Sequence, residues 1–175
     1  WHGLCFSRFM SLDLNSATLI KDAYEQGVSM GSDLNYSDDK IPSFLVWAVG
    51  DIDSAPLQRV QIIKGWIDML SGQPKEKVYD IVCSDNLSPD PVTNRCPDNG
   101  AKVDINTCSI SKDVGASELM TIWKDPDFDV NSKSFYYVRV LENPTCRWSS
   151  WDAIKAGYKP REDLQATIQE RAWTS

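Results

Sequence analysis

Four cysteines carry the clearest chemistry in this chain. Cys83, Cys96, Cys108 and Cys146 fall in or beside a long stretch rich in Pro, Asp, Asn and Ser, while Cys5 stands apart near the start. Free cysteines in strands often serve as small buried hydrophobes. Four of them around a polar loop instead predict two disulfides, which close that loop and restrict the unfolded chain. Four cysteines allow three pairings. We expect Cys96 with Cys108, around the 97–107 loop, and Cys83 with Cys146, joining two strand ends. A zinc site would need C-x-x-C spacing or histidine partners, and the sequence has neither.

Oxygen-rich loops come next. Asp125, Asp127 and Asp129 alternate in KDPDFDVN, a spacing like that of calcium loops, but the Gly at the sixth position and the Glu at the twelfth are missing. Asp98, Asn99, Asp104 and Asn106 form a second such loop. Turn chemistry explains both without a metal, because Asp and Asn bond their own backbones.

Catalytic patterns are thin. The one histidine is His2, at the start of the chain. A Ser-His-Asp or Cys-His site would hang on that terminal residue. A catalytic zinc usually takes two or three imidazoles, which this chain cannot supply. Carboxylates are plentiful, but no pattern selects a pair for acid–base work. Met30-Gly31-Ser32-Asp33 is a turn and not a phosphate cradle. No catalytic residue and no metal ligand is therefore assigned.

Two aromatic–basic stretches remain. Residues 146–151 (CRWSSW) set Arg147 beside Trp148 and Trp151, and Arg171 and Trp173 repeat the pairing near the end. The structural expectation is an Arg stacked on Trp, holding the tail to a sheet. The functional alternative presents the Arg to an anionic ligand at a domain interface. On residue chemistry alone, Asp33, Arg147, Trp148, Trp151 and Arg171 are the candidates for a cleft or interface.

These residues need a scaffold, and the totals bound it. The chain has 175 residues, 42% hydrophobic and 10% aromatic, which is enough for one domain with a real core. Seven Trp is high for this length and suggests use of some at a cleft or interface. The formal charge of −7, with no basic run, argues against nucleic-acid binding. No apolar stretch is long enough to span a membrane. The opening Trp1-His2-Gly3 reads as an internal start, from a processed chain or a fragment.

Patterning predicts a strand over residues 4–10 and a short helix after Asn15-Ser16, with Leu19, Ile20, Ala23 and Tyr24 on one face and Gly27 as its stop. Residues 27–40 are polar and turn-rich. Residues 43–49 (SFLVWAV) form a strand apolar enough to be buried on both faces. Residues 58–67 and 77–83 form a hairpin around Ser71-Gly72-Gln73-Pro74. Residues 84–115 are too long for a bare loop and call for cross-links. Residues 116–123 are predicted as a short helix, and 134–142 (SFYYVRVLE) as the strongest strand. Ser150 caps a last helix over 151–156, stopped by Gly157 and Pro160, before an extended or irregular tail. The expected fold is mainly β: an antiparallel, sandwich-like domain with short peripheral helices and a disulfide-stapled loop.

Longer motifs add a resemblance. GVSMGSDL (27–34), APLQRVQIIKGW (55–66), EKVYDIVCSD (76–85), RCPDNGAKVDINTC (95–108), DPDFDVNSKSFYYVRVLENPTCRWSSWDAIKAG (125–157) and ATIQERAWTS (166–175) together resemble the C-terminal part of the domain-of-unknown-function family 3604. The likeness covers most of the chain from about Gly27 onward, with the first two dozen residues matching less clearly. Full-length members look like relatives of the polymerase-and-histidinol-phosphatase superfamily, metal-dependent hydrolases, often of phosphate esters, on a distorted β/α barrel. Their ligands are His, Asp and Glu residues upstream of the matched region. The resemblance implies a single C-terminal β domain over 1–175 (1–26 least certain), with a divalent metal in the missing barrel and none in this chain. It also implies an exported, periplasmic or secreted parent, in agreement with the cysteines.

Two functional readings follow. In the first, the chain is an accessory module that packs a Trp-rich face on the upstream catalytic barrel. There it shapes the substrate mouth through residues 30–33 and 146–151. In the second, it is an independent binding module for carbohydrate or protein, using exposed Trp as platforms. The first expects no catalysis by the isolated chain. The second expects a contiguous exposed aromatic patch.

Overall fold

The structure, a computed structural model, describes residues 13–35 and 41–174 together with the backbone of residues 2–8. In chain order the elements are β1 (His2–Arg8), α1 (Leu19–Gln26), β2 (Val28–Ser29), β3 (Ser43–Val49), β4 (Leu57–Ile67), β5 (Pro74–Cys83), β6 (Val103–Asp104), β7 (Ser109–Ile110), β8 (Glu118–Lys124), β9 (Ser134–Glu142), β10 (Thr145–Cys146), α2 (Trp148–Lys155), β11 (Thr167–Ile168) and β12 (Arg171–Trp173). The predicted strand over 4–10 is β1, although Phe9 and Met10 lie outside the described residues. So do residues 36–40 of the predicted turn-rich segment and the side chains of His2 and Cys5.

Among the described residues, two four-stranded antiparallel sheets form, ordered β2-β1-β3-β8 and β12-β9-β4-β5, with two-stranded ladders β6-β7 and β10-β11. The alternation of side chains along a strand decides what each sheet buries. On β3, Phe44, Val46 and Ala48 face Leu57, Val60 and Ile62 of β4, Tyr79 and Ile81 of β5, and Val138 and Val140 of β9, giving one core between the two sheets. On its other face β3 puts Leu45 under Leu19 and Ala23 of α1. The apolar run of β3 is thus used on both faces, as its composition predicts. The mainly β sandwich with peripheral helices is what the structure contains.

Two local expectations are corrected. Residues 116–123 do not form a helix. Glu118–Lys124 is strand β8, paired antiparallel to β3 from Ser43↔Lys124 to Val49↔Glu118. Leu119 enters the main core, while Met120 and Ile122 pack toward α1. This two-sided burial hides the period-2 signal, and sheet pairing outweighs the helix propensity of Glu, Leu and Met. The last helix starts at Trp148, with an extended Arg147 as its N-cap. Ser150 lies inside it and donates its hydroxyl to the Ala166 carbonyl at 2.8 Å. The tail is extended, as expected, in β11 and β12, and β12 extends the second sheet beside β9.

The disulfides are Cys83–Cys96 and Cys108–Cys146, with Cα separations of 5.7 and 5.5 Å. The predicted pairs Cys96–Cys108 and Cys83–Cys146 do not form. Asp80 explains the first bridge. Its carboxylate accepts the Cys96 N–H at 2.7 Å, and its own N–H donates to the Asn94 carbonyl, which folds residues 94–96 back along β5 beside Cys83. The 97–107 loop needs no cystine of its own. The β6-β7 ladder closes it and turns Cys108, with φ of 56°, toward β10. Asn143, 1% exposed, holds the rest of this region. It accepts a bond from Asn99 Nδ2 at 2.9 Å and donates to the Val114 carbonyl at 2.8 Å.

Candidate functional site

Three surfaces gather chemistry-bearing side chains. The first is a cleft of about 750 Å³ at one end of the sandwich, between residues 28–35 and the segment joining β8 to β9. Its apolar floor includes Phe44 and Tyr136, whose ring centroids lie 4.7 Å apart. Asp33, Asp129 and Lys133 stand at its walls. Asp33 and the 30–33 turn are among its lining residues. Arg147, Trp148, Trp151 and Arg171 are not part of that lining, so the structure does not join the five candidates into one site.

Under the floor lies a polar cluster of which the sequence singled out only the acids, Asp125 and Asp127. Lys64 Nζ meets Asp125 Oδ2 at 2.6 Å, with side chains 4% and 0% exposed, and also donates to the Asp127 carbonyl at 2.6 Å. Tyr136 donates its hydroxyl to Asp125 at 2.7 Å, and Tyr79 donates to Asp127 Oδ2 at 2.5 Å. Lys77 pairs with the same Asp127 carboxylate. Burial, then the bonds to these carboxylates, pushes both phenols well above the usual tyrosine range. The bond from Lys77, with that from Tyr79, holds Asp127 below the usual carboxylate range. The acids of KDPDFDVN thus meet lysines and tyrosines, and Asp129 closes a turn with the Asn131 N–H at 2.9 Å. Among the described residues, no three His, Cys, Asp or Glu side chains are grouped to fit a metal ion. The sequence signals for this cluster were the alternating acids of KDPDFDVN and a lysine in the middle of the apolar β4.

The second surface is the excursion between β10 and β11. It is rooted by the β10-β11 ladder, by the Arg147 N–H on the Ala166 carbonyl and by the Cys108–Cys146 bridge. In α2 only Ser150 is buried, while Trp148 and Trp151 are 72% and 39% exposed. Three residues apart on a helix, the two indoles are neighbours on one face. The cation over Trp151 is Lys155, at 5.3 Å from the ring centroid, and not an arginine as the sequence suggested. Tyr158, just past the left-handed Gly157, is also exposed.

The third surface is the outer face of the β12-β9-β4-β5 sheet. Phe135, Tyr137 and Arg139 project there from β9, opposite Gly65, Ile63 and Gln61 of β4. Arg139 Nε donates to Gln61 Oε1 at 2.7 Å, and Gln61 donates to Asp80 at 2.5 Å. Arg171 and Trp173 reach the edge of this face on β12, and both are exposed.

A family model described as a protein of unknown function, DUF3604, matches residues 6–175, which extends the likeness through most of the first two dozen residues. No curated protein and no solved structure matches the chain.

Proposed function

The chain belongs to the family described as protein of unknown function DUF3604, and on that premise we propose that it is the C-terminal accessory domain of a larger, exported metal-dependent hydrolase. In this reading it docks on the catalytic barrel through the aromatic face of α2. The barrel supplies the divalent metal and the reaction, and this chain supplies a rigid, disulfide-braced support.

The observation that carries the reading is the α2 excursion. A helix of eight residues with one buried side chain gains little from its own domain, and isolated helices this short are marginal in water. Two neighbouring indoles on such a helix expose apolar area of the kind that interface cores bury. Two disulfides agree with an oxidising compartment, and no helix among the described residues is long and apolar enough to cross a membrane.

The test compares this chain alone with a longer natural polypeptide that carries the residues upstream of Trp1. Amide exchange across residues 147–158 should slow markedly in the longer protein. Equal exchange in both would remove the docking reading. Chelator-sensitive hydrolysis of a model phosphoester by the isolated chain would remove the accessory role itself.

A further inference from the structure

The buried polar cluster has the parts of a reaction site, and both reactants belong to the chain itself. Lys64 continues the core-facing row of Val60 and Ile62 on β4, so its ammonium group ends inside the sandwich, with the side chain 4% exposed. Asp125, 0% exposed, follows β8 of the other sheet. Aromatic rings wall the contact. Lys64 Nζ lies 5.4 Å from the ring centroid of Trp66 and 5.9 Å from that of Tyr136. Both ions lose their hydration at this depth, a cost that their mutual attraction repays only with excellent geometry. Joining them in an amide removes both charges from the interior.

The contacts are those that an amide-forming step needs. Lys64 Nζ lies 2.6 Å from Asp125 Oδ2. The Asp127 N–H donates to Asp125 Oδ1 at 2.9 Å, in place to hold negative charge on that oxygen. The Tyr136 hydroxyl donates to Oδ2 at 2.7 Å, in place to act as an acid on the oxygen that departs. The Asp127 carbonyl accepts from Nζ at 2.6 Å and orients the amine. A fold that fixes an amine against a carboxyl in this way turns a bimolecular condensation into an intramolecular one.

We propose that Lys64 and Asp125 condense in the folded chain to an isopeptide bond between the two sheets. Lys64 first passes a proton to Asp125 Oδ2 across their contact, leaving a free amine and a carboxylic acid. Nζ attacks Cγ, the C–N bond forms, and negative charge gathers on Oδ1 beneath the Asp127 N–H. A second proton then moves from Nζ to Oδ2, helped by the Tyr136 hydroxyl on the same oxygen. The Cγ–Oδ2 bond breaks and Oδ2 leaves as water. Nζ keeps one hydrogen, directed at the Asp127 carbonyl. The ion pair thus becomes an amide and one water, with no net proton or electron exchanged. The bond has a place in the fold. Both disulfides lie toward the start of β4, where Arg59 pairs with Cys83 and Leu57 with Glu142, shortly before Cys146. The isopeptide bond braces the other end, joining positions 61 residues apart. It is independent of the α2 surface and of the docking reading.

The experiment is mass spectrometry of the purified chain, held folded at neutral pH until its mass is constant, then denatured and reduced. The chain should be lighter than its sequence by one water. Tandem spectra of a tryptic digest should show a branched peptide joining Lys64 to Asp125, uncut after Lys64, since trypsin does not cleave beside an acylated lysine. Pro126 has no N–H, so Asp125 cannot lose water by closing on the next backbone nitrogen. Water lost at another aspartate gives no branch. Lys64→Met and Asp125→Ala should keep their full mass, and Tyr136→Phe should form the bond more slowly. Near-ultraviolet circular dichroism checks that each variant is folded. Where a variant is not, the branched peptide of the unaltered chain gives the reading by itself. A folded, unaltered chain that retains its full mass overturns the proposal, as does loss of water without the 64–125 branch.

Discussion

At the scale of single residues, the Lys64–Asp125 pair governs one end of the core. Both charges are out of solvent, and Asp125 accepts from Lys64, Tyr136 and the Asp127 N–H. Removing the cation leaves a buried carboxylate uncompensated. Lys64→Met should cost about 3–5 kcal/mol in denaturant unfolding, and Lys64→Met with Asp125→Asn distinctly less. Gly115 is equally constrained. Its φ is +102°, and a β-carbon there would lie 2.6 Å from Pro56 Cβ and 2.7 Å from Asn143 Nδ2. Gly115→Ala should therefore lose more than about 1 kcal/mol, by strain and by displacing Asn143. The carboxylates add a pH dependence. Lys77 and Tyr79 lower Asp127. For Asp85, burial pushes upward but is outweighed by bonds from Ser84, the Gly115 N–H and Asn99. Groups lowered in the folded state stabilise it fully above the ordinary aspartate value of about 3.9 and lose that contribution as pH falls through the lower folded value. Unfolding midpoints should be flat around neutrality and drop below about pH 4. A decline beginning near neutrality would contradict that assignment.

At the scale of elements, the two disulfides differ in what they tie. Cys83–Cys96 closes 13 residues back onto β5, and Cys108–Cys146 spans 38, joining the β6-β7 turn to the root of α2. The loop-entropy relation makes the longer bridge worth about 1 kcal/mol more. Replacing Cys108 and Cys146 with Ala should thus lower the unfolding free energy further than replacing Cys83 and Cys96. It should also loosen α2, visible as faster amide exchange over residues 147–155. The α2 helix buries one side chain, Ser150, against the rest of the chain. Strand β8 is the opposite case, since its fate is settled by β3 and α1 rather than by its own composition.

At the scale of the whole molecule, the sandwich separates aromatic residues that hold it together from those that face outward. Trp123 is packed with Phe44 and Tyr79, at centroid distances of 5.7 and 5.1 Å, whereas Trp148 and Trp173 lie in solvent. Trp148→Phe should remove part of the acrylamide-quenchable fluorescence with little change in stability, the rest coming from Trp151 and Trp173. Trp123→Phe should remove shielded fluorescence and cost stability. The reverse pattern would mean that the α2 excursion folds back on the sandwich in solution.

Local pattern was enough for much of this architecture. Alternation and β-branched content placed β3, β4, β5 and β9, the turn at residues 71–74 placed the hairpin, and composition placed two disulfides in a mainly β domain. Those signals lie within a few residues of one another and need no knowledge of distant neighbours. Everything requiring two distant segments to meet was decided by the tertiary structure. The choice among three cysteine pairings turned on Asp80 drawing residues 94–96 along β5. The meeting of Lys64 with Asp125, 61 positions away, turned on how one sheet lies over the other. The separation of Asp33 from Arg147, Trp148, Trp151 and Arg171, and the placing of the Phe135 ring over Gly65, depended on strand order and register. One-dimensional spacing carries propensity and periodicity, but not which strand becomes whose neighbour, and it is that adjacency that assembles a surface.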